Sequence, residues 1–172
     1  MSFKIVTAIP SDSFEIAALV NGAYRGETAR QGWTHEADML DGTRTDADAI
    51  EDILREPGHR IMKYVDKGKT LGCVELFEDG DKLYLGMLTV RPDHQAKGIG
   101  KELMKSSEAF AKKQQCRSIY MTVISARTEL VDWYVRHGYL PTGERKPFDF
   151  TDPRFGEHKQ SLEFLVLEKQ IK

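Results

Sequence analysis

The run Leu83-Tyr84-Leu85-Gly86-Met87-Leu88-Thr89-Val90, followed after Arg91-Pro92-Asp93 by His94-Gln95-Ala96-Lys97-Gly98-Ile99-Gly100-Lys101, decides how this chain is read. The first part reads as a strand and the stretch from Ile99 to Lys113 as a helix, with a short basic, glycine-containing turn between them. A strand, such a turn and a helix start make a place to hold phosphates. Glycine lets the backbone approach a ligand closely, and the first N–H groups of a helix lack partners within it. Two familiar phosphate loops are excluded. A nucleoside-triphosphate loop needs Ser or Thr after Gly-Lys to hold magnesium, and here Glu102 follows Gly100-Lys101. A dinucleotide fingerprint needs a third glycine where this chain has Leu103, and here the glycines start at Gly98, well past the strand end instead of directly on it.

Working outward, the remaining patterns give an α/β order. Residues 3–9 read as an opening strand, and Pro10-Ser11-Asp12 as a turn into a helix. That helix carries Phe14, Ala17, Ala18 and Asn21 at helical spacing, with Ile16, Leu19 and Val20 widening the apolar stripe. Thr45-Asp46-Ala47-Asp48 supplies a cap and early acids for a second helix through Leu54, which Pro57-Gly58 ends. Residues 60–65, 70–77 and 82–90 read as strands joined by turns at Asp66-Lys67-Gly68-Lys69 and Glu78-Asp79-Gly80-Asp81. After the loop helix come a strand at 118–124 and a helix at 129–137, with Gly138 as its C′ residue. Residues 139–143 and 161–167 complete the sheet. The expectation is an α/β (α+β) fold: a single mixed, mostly antiparallel central sheet of about six to seven strands with helices on both faces, forming one domain over residues 1–172.

Bulk properties exclude several function classes. The 172 residues carry a net charge of −2 with 30% charged residues, which speaks against a nucleic-acid surface or a polybasic membrane patch. No apolar run approaches the roughly 20 residues that span a bilayer. The start, Met1-Ser2-Phe3-Lys4-Ile5, lacks a signal-peptide pattern, so a cytoplasmic location is expected. Cys73 and Cys116 are far apart and read as buried thiols, and the five histidines show no ligand-like spacing, so no metal site is expected.

The order Gln-x-x-Gly-x-Gly from Gln95 to Gly100 joins two other features: Leu88-Thr89-Val90 at the strand end and Trp133-Tyr134-Val135-Arg136-His137-Gly138-Tyr139 downstream. Together they resemble the GNAT acetyltransferase superfamily, whose members show this strand, this loop and an aromatic-Tyr-x-x-x-Gly-aromatic segment at a similar separation. The resemblance extends loosely over nearly the whole chain. It implies an N-acetyltransferase that moves an acetyl group from acetyl-CoA, as co-substrate, to a primary amine of a small molecule or peptide. Neither cysteine has a recognisable basic partner, which favours direct attack in a ternary complex over a covalent intermediate.

Roles follow residue by residue. The amides of Gln95, Ala96, Lys97, Gly98, Ile99, Gly100 and Lys101 could bind the pyrophosphate, with Lys97 and Lys101 adding charge. The resemblance implies that the backbone of Leu88, Thr89 and Val90 pairs with the pantetheine arm. It also marks Tyr134 as the group beside the departing thiolate. A phenol of pKa about 10 facing a thiol of about 8.5 makes full proton transfer uphill by roughly 2 kcal/mol in water, so hydrogen bonding with late transfer is expected. Trp133 reads as packing on the sheet. Where many members have Asn, this chain has Arg127, which either reaches the cofactor or starts the helix in solvent.

The acceptor side is less determined. An alkylamine of pKa about 10.4 is neutral in fewer than about one molecule in a thousand at pH 7, so its proton must leave. The position at which members carry a strand base holds Tyr84. Glu75, on the preceding strand, is the other acid–base candidate, and a water-relayed path without a dedicated base stays open. By strand alternation Gly86 lies between Tyr84 and Leu88 on one face and leaves room for a substrate. The long glycine-rich stretch from Tyr24 to Thr45, similar to a run in a bacterial subgroup of the family, offers Arg30, Trp33 and Glu36 to the acceptor. Within it Glu36, Asp38 and Asp41 suit a cation, and Arg30 and Arg44 a carboxylate. Residues 145–160, with Pro147, Phe148, Phe150, Pro153 and Phe155, either cap the acceptor cleft or pack on a second subunit. A homodimer is the base-rate expectation. The alternative function is a non-catalytic acyl-CoA-binding or sensing module of the same fold, kept open by Tyr84 and Arg127 at the base and Asn positions.

Overall fold

The computed structural model describes residues 3–24, 40–41, 45–95, 97–147, 157–158 and 163–171. In chain order these form β1 (Phe3–Thr7), α1 (Ser13–Tyr24), β2 (Leu40–Asp41), α2 (Ala47–Arg55), β3 (His59–Asp66), β4 (Lys69–Asp79) and β5 (Lys82–Val90). Then follow α3 (Ile99–Lys113), β6 (Ser118–Ile124), α4 (Thr128–Arg136), β7 (Leu140–Pro147), β8 (Glu157–His158) and β9 (Glu163–Gln170). Seven strands make one mixed sheet in the order β1-β3-β4-β5-β6-β9-β7, with β5 and β6 parallel and the other neighbours antiparallel. The expected mixed, mostly antiparallel sheet with helices on both faces is the architecture found.

Each face carries its own apolar cluster. Ile16 and Val20 of α1 and Ile50 of α2 pack on Ile61, Cys73 and Met87 of the sheet. On the opposite face Leu103 of α3 and Leu130 and Tyr134 of α4 pack on Val74, Leu76, Leu83, Leu85 and Met121. Burying a Leu or Ile side chain contributes about 1.5–3 kcal/mol, so these stripes set which helix lies where. Cys73 and Cys116 are both buried, and neither forms a disulfide. Among the described residues no helix is long and apolar enough to cross a membrane.

Two local expectations are corrected. In α1, Phe14 is 82% exposed and Ala18 faces solvent, while Ile16, Ala17, Val20 and Ala23 are buried. The stripe is rotated from the one expected, because two overlapping sets of apolar residues share helical spacing and the sheet selects the β-branched one. Asn21 leaves the stripe to brace the chain: its side-chain amide donates to Thr45 O at 2.9 Å and accepts from Thr45 N at 3.0 Å, next to the Asp46 cap of α2. The last strands also differ. β7 runs on to Pro147, pairing Arg145, Lys146 and Pro147 with β9, so these three residues are strand and not loop. β7 is an edge strand, the place where proline and charged residues are tolerated and discourage further pairing.

Candidate active site

β5 and β6 are paired only at Lys82↔Ser118, Leu83↔Ile119 and Tyr84↔Tyr120, although β5 continues to Val90 and β6 to Ile124. Beyond Tyr84 the two strands part, while β4 stays paired with β5 and β9 with β6 along their outer edges. The gap is a cleft of about 270 Å³ walled by Tyr84, Gly86, Leu88, Thr122, Ile124, Arg127, Tyr134 and Phe164, among others. Strands that separate inside a sheet offer backbone groups to an extended ligand, as an exposed sheet edge does.

The strand beside this gap carries a bulge. Cys73 opposes Thr89 and Glu75 opposes Gly86, so Val74 alone on β4 faces both Met87 and Leu88 on β5. Met87 takes the extra place with φ 51°, a left-handed conformation that costs a side-chain-bearing residue about 1–2 kcal/mol. Two contacts hold it there. The Thr89 hydroxyl donates to Met87 O at 2.9 Å, and the Met87 side chain is buried in the α1/α2 cluster. The bulge changes the face of everything after it. Leu88 and Val90 pack on the α3/α4 cluster, opposite to the face of Tyr84 and Gly86. The expectation that Tyr84, Gly86 and Leu88 share a face is therefore corrected, and the cause is the inserted residue.

The loop after β5 is built to present a helix start. Arg91 N donates to Leu71 O at 2.8 Å, and Gln95 Nε2 to Val90 O at 3.2 Å, which fold the chain back over the strand end. Gly98 has φ 84° and precedes the first turn of α3, where Glu102 N donates to Gly98 O at 3.0 Å. The N–H groups of Ile99, Gly100 and Lys101 thus lie ahead of the helical ladder, at its positive end. Lys97 and Lys101 are exposed, and Ile99 is buried. Gly72 makes this docking feasible: a Cβ there would stand 2.8 Å from Thr89 O and 3.0 Å from Ile99 Cγ2. Nearby, Arg91 and His94 both bind the Asp93 carboxylate, and these contacts, His94's foremost, hold it below the usual carboxylate range. Ala96 lies outside the described residues.

Tyr134 is buried in the cleft wall. Its neighbour Trp133 does more than pack on the sheet. The indole lies edge-on to Tyr134, 4.1 Å from the His137 ring, and within 3.5 Å of where a Gly100 Cβ would be. Through Trp133 the helix bearing Tyr134 rests on the first turn of α3. Arg127 is buried at 8% exposure in the same wall and caps α4, so the solvated alternative is excluded. Phe164 of β9, opposite Ile124, joins the wall from a part of the chain that no motif marks.

On the other face Tyr84 leans along β5 over Gly86. A Cβ at Gly86 would come within 2.6 Å of the Tyr84 ring and hydroxyl oxygen. The missing side chain makes room for this phenol first of all. Tyr120 stands beside it at 5.4 Å between ring centroids and donates to Asp79 Oδ2 at 2.6 Å. Burial, then the Asp79 carboxylate, push the Tyr120 phenol far above its ordinary range, so it remains protonated. Glu75 lies one strand away from the cleft, opposite Gly86, with Oε2 3.6 Å from His59 Nδ1. Of the acceptor candidates, Arg30, Trp33 and Glu36 lie outside the described residues, as do Asp38, Arg44, Phe148, Phe150, Pro153 and Phe155. The two long segments that contain them do meet: β2 and β8 pair antiparallel at Leu40↔His158 and Asp41↔Glu157.

Residues 23–139 match the model of the Acetyltransferase (GNAT) family. An N-acetyltransferase from Staphylococcus aureus Mu50 superposes with a TM-score of 0.75 at 16% identity, over 99% of this chain and 99% of that one. yncA from Salmonella typhimurium, solved with its cofactor acetyl-CoA, gives 0.71 at 17% identity over 100% and 95%. A chimera of the spermidine N-acetyltransferase SpeG from Vibrio cholerae and hSSAT gives 0.69 at 17% identity over 99% and 96%. At these identities the likeness is one of fold.

Proposed function

The chain belongs to the Acetyltransferase (GNAT) family, and from that premise we propose that it transfers an acetyl group from acetyl-CoA to a primary amine of a small molecule or peptide, as one acetyltransferase domain. The observation that carries this reading is the end of β5–β6 pairing at Tyr84↔Tyr120, with Tyr134 in the wall of the gap and the α3 helix start on the same face as Tyr134. The chain's groups fit the two halves of coenzyme A. The N–H groups at Ile99 to Lys101, with Lys97 and Lys101, suit a diphosphate, and the parted edge at Leu88 suits the amides of pantetheine. The Val90 carbonyl already accepts from Gln95, so in this reading the pairing falls chiefly on Leu88.

Tyr134 and Tyr84 then stand on opposite faces of the sheet with the cleft between them. The Tyr134 hydroxyl donates to the sulfur as it acquires charge, which lowers the barrier to C–S cleavage. The amine arrives from the Tyr84 face, where Glu75 takes its proton. Arg127, buried beside Tyr134, orients the cofactor arm. Arg30, Trp33 and Glu36 are proposed to hold the acceptor. Calorimetry with coenzyme A and thiol release from acetyl-CoA with a panel of amines test the reading. Micromolar binding and turnover of at least one primary amine are expected. Binding without turnover of any amine would favour the non-catalytic module, and no binding would end both.

A further inference from the structure

The Tyr84 face extends onto β3 through groups that the steps above leave unexplained. Glu75 opposes Gly86 on one side and Ile61 on the other, and directly opposed residues share a sheet face. Tyr84 opposes Phe77, and Phe77 opposes His59, whose ring lies 4.1 Å from that of Phe77. His59 and Glu75 are therefore diagonal neighbours, and the 3.6 Å between Nδ1 and Oε2 is ion-pair range but too long for a hydrogen bond. His59 Nδ1 is buried and has no hydrogen-bond partner among the described residues. Leaving such a nitrogen unsatisfied is unfavourable, and the carboxylate facing it is that of Glu75.

We propose that Tyr84, Glu75 and His59 form a proton path across three adjacent strands, which carries the acceptor's proton from the cleft to His59. The path rests on the acetyl-transfer reading. Its steps balance. The alkylammonium gives one proton to the Glu75 carboxylate, directly or through the Tyr84 hydroxyl, which passes its own proton on as it takes the amine's. The neutral nitrogen forms a bond to the thioester carbon, the C–S bond breaks, and a second N–H proton ends on the departing sulfur. Glu75 hands its proton to His59 Nδ1, and the resulting imidazolium releases its Nε2 proton to solvent. Thioester and ammonium enter; amide, thiol and one proton leave. Such a path selects acceptors that are ammonium ions at neutral pH.

The other charged groups around this face have their own engagements. Lys63 pairs with Asp12 at 3.1 Å, Asp46 caps α2 through Ala49 N, Arg55 pairs with Glu51, and Asp79 holds Tyr120. Asp48, Asp52 and Glu56 are the remaining charges of α2 and its end, and Glu15 that of α1.

The test compares wild type with Glu75→Gln, His59→Asn and His59→Gln, using kcat/KM against pH and two kinds of amine. Coenzyme A affinity serves as the control for folding and for the far face. With an alkylamine, each variant is expected to lose about 10- to 100-fold in kcat/KM at pH 7. With an amine of pKa below about 6, which arrives neutral, the loss should shrink to within about threefold, and it should likewise shrink for alkylamines as the pH approaches about 10. Coenzyme A affinity should stay within about twofold of wild type. Equal losses for both amines, or none, in the presence of an active wild type would overturn the path and leave acetyl transfer standing. A wild type that binds coenzyme A and acetylates no amine would remove both.

Discussion

Toward α3 and α4, β5 presents Leu83, Leu85, Leu88 and Val90; toward α1 and α2 it presents Tyr84, Gly86, Met87 and Thr89. On the first side the polar resources are fixed dipoles: the helix start after Gly98 and the parted strand edge. On the second they are groups whose protons can move, Tyr84, Glu75 and His59, arranged on three strands. The handover occurs at Met87, where one inserted residue turns the following side chains about. A bulge that costs about 1–2 kcal/mol thus determines which ligand meets dipoles and which meets titratable groups.

The largest effect should come from the dipole side. Tyr134→Phe removes one hydroxyl and is expected to slow thiol release by about 10- to 1,000-fold with coenzyme A affinity nearly unchanged, as measured by stopped-flow and calorimetry. An unchanged rate would take the phenol out of the reaction. Next comes the proton side. Gly86→Ala places a methyl within 2.6 Å of the Tyr84 ring, so the ring must leave its seat. Turnover should fall about 10- to 100-fold, since misplacement of about 1 Å has that effect. In a Tyr84→Ala background the same change should cost little; equal costs in both backgrounds would show that the ring's seat is not the cause.

Gly72→Ala sharpens the contrast by striking stability instead of chemistry. Its Cβ would meet Thr89 O at 2.8 Å and Leu103 Cδ1 at 3.1 Å, overpacking the joint between α3 and the sheet. A loss of about 1–3 kcal/mol is expected, seen as a melting temperature lower by several degrees. The smallest effect belongs to the closed end of the β5–β6 pair. There the Ser118 hydroxyl, then Lys82, hold the Glu168 carboxyl below its ordinary value. A depressed folded-state pKa stabilises above the unfolded value, about 4.3, and the contribution fades as pH falls through the folded one. The stability gap between wild type and Glu168→Gln should therefore narrow from pH 7 toward pH 3 in urea titrations, and a constant gap would refute the assignment.

Much of the dipole side was legible because it is local. The turn at Gly98, the limits of α3 and the C′ role of Gly138 (φ 94°) depend on residues adjacent in sequence. The proton side was not, because it depends on register. Leu-Thr-Val alternates equally well on either face, so nothing in the run announces the extra residue at Met87. His59 meets Glu75 only through strand pairing, and its first-residue position on β3 gave no pattern to follow. Arg127 could be placed at a helix start, but its burial follows from α4 resting on α3 through Trp133. Phe14 misled for a different reason: an apolar residue at the right spacing need not face the core when Ile16 and Val20 compete for it.

β9 follows β7 in the chain yet lies between β6 and β7 in the sheet. β7 therefore gains its place in the sheet through β9, which also closes the free edge of β6. An early termination would leave two bare ladders exposed, a sticky species that quality control would meet before any ligand could. Phe164, which helps wall the cleft, arrives with that final strand, so ligand capture should report completed assembly of the sheet.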